Sequence, residues 1–131
     1  MGFQVIINNI TTYLQDIADS IGLPIRYDND PRETPTENLW CEASIDFDDS
    51  KQKAIGAINS YRNAGNLVIK IHHSVGKGVW FLLRIVDRLV ARFTEKTIND
   101  SVKFQIPKVR NVGRESDDYE FNIICPFYID N

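Results

Sequence analysis

The chain has 131 residues, enough for one domain with a core of its own. Hydrophobic residues make up 43% and charged residues 25%, the balance of a folded chain rather than a disordered or low-complexity one. A net charge of −3 gives no basic excess, so the electrostatic footprint of a dedicated nucleic-acid binder is missing.

Residues 3–21 have helical spacing. Phe3, Ile6, Ile10, Tyr13, Leu14, Ile17 and Ile21 share a face, while Gln4, Asn8, Thr11, Gln15 and Asp19 lie away from it. Gly22 follows as a C-cap and Pro24 as a stop. Residues 24–27 suit a short edge strand. Residues 28–38, DNDPRETPTEN, hold two prolines and mixed charge. They predict an exposed, mobile loop that orders on contact with a neighbour.

Residues 39–48 alternate with period two. Leu39, Cys41, Ala43, Ile45 and Phe47 face one way, and Trp40, Glu42, Ser44, Asp46 and Asp48 the other. A turn follows at residues 48–51. Residues 53–62, with Ala54, Gly56 and Ala57, suit a weaker hairpin strand, and residues 63–66 a turn or bulge. Leu67, Ile69 and Ile71 then alternate with Val68, Lys70 and His72. Gly76-Lys77-Gly78 breaks the pattern and a long helix begins at Val79. Leu82, Ile85, Val86, Leu89, Val90 and Phe93 form its apolar stripe, with Arg84, Asp87, Arg88 and Arg92 opposite.

Residues 96–101 read as a polar connection. Val102, Phe104 and Ile106 alternate as a short strand ending at Pro107, and residues 110–118 read as a polar loop. The last strand, residues 119–129, turns Tyr119, Phe121, Ile123, Cys125, Phe127 and Ile129 inward. Pro126 within it predicts an edge position or a bulge. The order is one helix, three or four strands, a second helix and two strands. It predicts an α+β two-layer sandwich, a mixed and mainly antiparallel sheet with both helices on one face. The inward strand residues pack on the helices. Trp40, Ile58, Val68, Ile124 and Tyr128 fall on the opposite face, where a solvated sheet would carry polar groups.

Cys41 and Cys125 are too few for a disulfide framework, and both fall on inward positions, so buried, reduced and poorly reactive thiols in an intracellular chain are expected. The N-terminal stretch lacks a basic segment and a small-residue cleavage site, and no signal peptide is read there. No apolar run approaches the roughly 20 residues that span a bilayer.

Candidate chemistry is sparse. A phosphate loop needs G-x-x-x-x-G-K-[ST], whereas here the lysine lies between the glycines and Val79-Trp80 follow, so a tight strand-to-helix turn is the expectation. His72 and His73 are adjacent on a strand and point to opposite faces, which prevents both from binding one ion. The acidic groups at residues 28–30, 46–49 and 115–120 lack the calcium-loop pattern and read as solvated turns, with weak divalent-ion binding between subunits as the alternative. Arg84, Arg88 and Arg92 put like charges in line on one helix face. That line is either a solvated outer surface or a contact with a partner subunit or DNA phosphates. No catalytic set, metal site or cofactor site stands out, and no enzyme activity is expected.

As a whole the chain resembles the tail terminators of long non-contractile-tailed phages. The resemblance rests on an order of features across nearly the full length. The N-terminal helix precedes a strand with Asn38-Leu39-Trp40, then comes a glycine-marked strand over residues 62–73. The Gly76-Lys77-Gly78 turn leads to a helix ending at Arg92-Phe93, and the last strand closes on Cys125-Pro126-Phe127-Tyr128. The resemblance implies a structural role without catalytic residues. Subunits would form a homo-hexameric ring that stops tail-tube polymerisation and presents a surface to head-completion proteins. The ring would sit at the head-proximal end of the tail, after assembly in the host cytoplasm. Its partners would be the tail tube protein and a head-completion or neck protein, with no membrane involved.

A radius of gyration of ~14 Å for this length lets six subunits surround a hole wider than a DNA duplex. DNA would pass through that lumen without specific binding. Trp40, Ile58, Val68, Ile124 and Tyr128, with the loops at residues 28–38 and 48–53, are the expected subunit interface, and Arg84, Arg88 and Arg92 are further candidates. The departure from the family is the long acidic loop at residues 28–38. Two other readings compete: another neck or tail-completion protein of related fold, and a small ligand-binding or enzymatic α/β domain.

Overall fold

The computed structural model describes residues 3–27, 39–47, 62–74, 79–115 and 118–130. Helix α1 spans Phe3–Ile21, followed by β1 (Ile25–Tyr27), β2 (Leu39–Phe47) and β3 (Arg62–Ser74). Helix α2 spans Val79–Phe93, and β4 (Thr97–Ile98), β5 (Val102–Phe104), β6 (Lys108–Glu115) and β7 (Asp118–Asp130) complete the chain. Among the described residues the strands form one seven-stranded sheet in the order β1-β2-β3-β7-β5-β4, with β6 also paired to β7. β1 runs parallel to β2, and every other pairing among the described residues is antiparallel. The fold is α+β, with an open mixed sheet, as the alternation of elements predicts.

Local chemistry explains the helix ends. Gly22 adopts φ 68°, and the Leu23 amide donates to the Ala18 carbonyl at 2.9 Å. That bond, closed over a left-handed glycine, is the Schellman stop. Leu23 and Ala18 are both buried beside it.

Both helices cover the same sheet face. α1 lies over β1 and β2, where the Tyr27 hydroxyl donates to Gln15 at 2.8 Å and Phe3 meets Phe47 at 4.6 Å. α2 lies against β7. Tyr13 ties the helices together: its hydroxyl donates to the Arg92 carbonyl at 2.6 Å, and its ring meets Phe93 edge-on at 5.3 Å. The core beneath takes Cys41 and Ala43 from β2, Leu67, Ile69 and Ile71 from β3, and alternate residues from Phe121 to Ile129 of β7. Leu39, Ile45, Phe47 and Tyr119 are partly buried against it. The helical stripe is equally well kept, with Leu82, Ile85, Val86, Leu89 and Phe93 buried and Val90 partly so.

Four local expectations are corrected. Residues 63–66 do not turn; β3 runs through them, paired to β2 and β7. Gly65 is there because two strands close in on it. It stands opposite Phe47 on one side and Phe127 on the other, and these rings meet edge-on at 5.9 Å. A Cβ at this position would collide with the Asp46 carbonyl and lie 2.9 Å from Phe127 Cζ. Gly65→Val is therefore expected to cost about 3 kcal/mol, the upper end of the usual overpacking penalty, because a backbone atom cannot swing aside. Urea titration measures this, and a loss under about 0.5 kcal/mol would contradict the close approach.

The second correction is in the stretch read as a polar loop, residues 110–118, which supplies most of β6. Those residues carry no apolar alternation, so their extended shape comes from the ladder with β7 rather than from local preference. A bulge leaves Val112 without an opposite residue, and Gly113 takes φ 94° beside it. Third, the connection at residues 96–101 contains β4, whose Ile98 is buried, while Ile106 falls beyond the end of β5 and is exposed.

Fourth, Pro126 is neither at an edge nor in a bulge, since β7 is the central strand. The Pro126 carbonyl accepts the Gln105 amide at 2.9 Å, so its backbone polar groups face away from β3, into the break between β6 and β5. The missing donor thus costs no bond in the β3–β7 ladder.

The expected loop at residues 28–38, turn at residues 48–51 and Gly76-Lys77-Gly78 turn lie outside the described residues, as does the expected strand over residues 53–62 apart from Arg62, where β3 begins.

Candidate functional site

The sheet face opposite the helices is laid out in rows by the strand register. One row sets Trp40, His72 and Glu120 side by side on β2, β3 and β7. The Trp40 and His72 rings stack with centroids 4.4 Å apart and 17° between planes. His72 Nδ1 lies 3.6 Å from Glu120 Oε1. The next row runs Arg26, Glu42, Lys70, Asn122 and Arg110 across five strands. Arg26 Nη1 reaches Glu42 Oε1 at 3.4 Å. A third row holds Ser44, Val68, Ile124 and Lys108.

Trp40, Val68, Ile124 and Tyr128 thus share this face, each half-buried among polar neighbours. Lys103 stands 6.0 Å above the Tyr128 ring. Ile58 lies outside the described residues. Arg26 Nε, His72 Nε2 and Asn122 Oδ1 are shielded from solvent here without a hydrogen-bond partner among the described residues. Such atoms cost stability until something supplies a partner.

Arg84 and Arg88 project from the exposed side of α2. Arg92 departs from that line, since its guanidinium lies over the Tyr13 ring at 5.9 Å, on the seam between the helices. Sequence reasoning missed a further feature, the exposed aromatic end of α2. Trp80 is 76% exposed, and Phe81 packs on His73 at 5.3 Å while remaining exposed itself. His73 points inward and is buried, while His72 points outward, the split that strand geometry demands.

An open cleft of about 690 Å³ marks the break between β5 and β6, lined by Glu95, Lys103, Lys108, Pro126 and Tyr128 among others. Among the described residues, no three His, Cys, Asp or Glu side chains gather as metal ligands, and no helix is long and apolar enough to cross a membrane. Cys41 and Cys125 are free and buried, and burial pushes both thiols up from 9.0 to about 12. Thiolate is therefore scarce near neutral pH, which makes both groups poor nucleophiles.

No protein-family model and no curated protein matches this chain. Solved structures do. One, whose name carries no description of function, covers 100% of this chain and 97% of its own at 16% identity, with a TM-score of 0.77. Another is a chain in the virion of a native gene transfer agent particle. It matches 95% of this chain and 93% of its own length at 15% identity, with a TM-score of 0.54. At these identities the likeness establishes a shared fold.

Proposed function

We propose that this chain is a structural protein of a phage-like virion, and within that class a tail terminator whose copies close into a hexameric ring. The observation that carries the reading is the full-length likeness to a chain of the gene transfer agent virion. It joins a motif order that resembles tail terminators from the N-terminal helix to Cys125-Pro126-Phe127-Tyr128. The unsatisfied polar atoms on the outer sheet face support a surface that is completed by contact. In this reading the ring caps the tail tube, stops its growth and offers the head-completion protein its docking surface. DNA passes through the lumen without specific binding, and the protein catalyses nothing.

Removal of the protein from an assembling particle is expected to leave tails of uncontrolled length that join no heads, as seen by electron microscopy. Adding the purified protein before tube assembly should restore a uniform length. Normal tails joined to heads in its absence would overturn the proposal. Uniform tails that fail only to join heads would point instead to a neck protein of related fold. Density for a ring of other than six subunits would remove the hexamer.

A further inference from the structure

We propose that the exposed face of α2 in one subunit docks on the exposed face of α1 in the next copy, with Arg84 against Asp19, Arg88 against Asp16 and Trp80 as the apolar anchor. The inference rests on the ring reading and names a surface that builds it.

Each helix shows solvent a stripe of one dominant sign. α1 exposes Asp16 and Asp19 and has no basic residue from Phe3 to Ile21. α2 exposes Arg84 and Arg88, and Asp87 is its only acid beside three arginines. Among the described residues Asp16, Asp19, Arg84 and Arg88 form no ion pair. Asp19 accepts the Gln15 Nε2 amide at 2.8 Å, and Asp16 lines an open cleft with Lys96 without pairing to it.

These charges are badly placed for the helices that bear them. Arg84 and Arg88 are like charges one turn apart, a repulsive spacing. Asp16 and Asp19 repel at three residues' spacing, and Asp19 sits in the last turn of α1, where the helix dipole favours cations. An opposite charge from outside relieves both penalties. Trp80, one turn before Arg84, is 76% exposed. Tryptophan beside arginine is the composition of an interface anchor rather than of a solvated helix. Since each face complements the other, the partner that fits is a second copy of this chain.

The fold sets both faces at one level. The Pro24 carbonyl after α1 accepts the Cys41 amide, and Phe81 at the start of α2 packs on His73, which pairs with Leu39. α1 therefore ends, and α2 begins, at the same end of the sheet. α1 lies over β1 and β2 while α2 lies against β7, so the faces occupy different flanks. A ring whose axis follows the strands brings α2 of each subunit antiparallel to α1 of the next. Four residues of α2 rise about 6 Å and three of α1 about 4.5 Å, so both arginines reach an aspartate together. One turn further, Trp80 meets the partner's backbone at Gly22, where an added Cβ would find nothing within 4 Å. Two unlike faces in contact make a heterologous interface, the kind that closes into rings.

The test is sedimentation of the full chain up to its solubility limit, at low and high salt. Beside the native chain run Trp80→Ala, Arg84→Glu, Asp19→Lys and the Arg84→Glu, Asp19→Lys double variant. All three positions are exposed, and each reversal turns a repulsive pair within its own helix into an attractive one. Circular dichroism and thermal stability should therefore be undiminished. The native chain should assemble into one closed species, weakened by salt. Each single variant should raise the concentration needed for assembly by about tenfold or more. The double variant, with its charges exchanged, should assemble at lower concentration than either single reversal. Single variants that assemble like the native chain, or a double variant no better than the singles, would overturn the helix contact while leaving the ring reading intact. A native chain that stops at a dimer, or stays monomeric to its solubility limit, overturns the contact too. The tail-length experiment judges the ring reading separately.

Discussion

Phe93→Ala is expected to lower unfolding free energy by about 3–5 kcal/mol, the usual range for emptying a fully buried aromatic site. Phe93 closes the last turn of α2 and is 0% exposed. Its ring meets Tyr13 of α1 at 5.3 Å and Phe104 of β5 at 5.0 Å, both near edge-on. Phe104 continues to Phe127 at 5.8 Å, and Phe127 to Phe47 at 5.9 Å. One side chain therefore joins both helices to the short strand and, through it, to the central strand. The Tyr13 hydroxyl is held by the Arg92 carbonyl, which keeps that ring from swinging into the hole. Urea unfolding reads the loss from the midpoint at constant slope. A loss below about 1 kcal/mol would mean that the seam between the helices can refill.

Alkaline pH should produce an effect of similar size. Burial pushes the Cys41 and Cys125 thiols from 9.0 to about 12. Above pH 9 the unfolded chain releases these protons while the folded chain keeps them, so the folded state binds more protons and stability falls as pH rises. The stabilisation is whole below about pH 9 and is lost progressively toward pH 12. By pH 11 the two thiols together remove about 5 kcal/mol. A Cys41→Ala, Cys125→Ala double variant, lower in stability at neutral pH, should lack this part of the alkaline slope. Equal slopes for native and variant would show that the thiols do not carry it.

Core-forming elements were legible because burial repeats at the period of the element. Ile6, Ile10, Leu14 and Ile17 declare α1, Leu67, Ile69 and Ile71 declare β3, and Phe121 through Ile129 declare β7. Each buries its side chains on one face, and a face has a period. β6 was not legible, because the side chains from Lys108 to Val112 are exposed and its shape is held by backbone hydrogen bonds that any residue but proline can make. Gly65 reads in the chain as a turn signal, and only the approach of Phe47 and Phe127 from two neighbouring strands shows why a side chain is excluded there.

The candidate surfaces divide the same way. Period two was enough to bring Trp40, Val68, Ile124 and Tyr128 to one face, and to send His72 and His73 apart. Which strands end the sheet, and so which amides remain open, depends on pairings between segments far apart in sequence. Lys108 and Arg110 carry the same charge whether they lie in a solvated loop or along a strand. Their position on the strand beyond β7, across the sheet from β1, is a property of the folded sheet alone, because register and strand order arise only when distant segments pair.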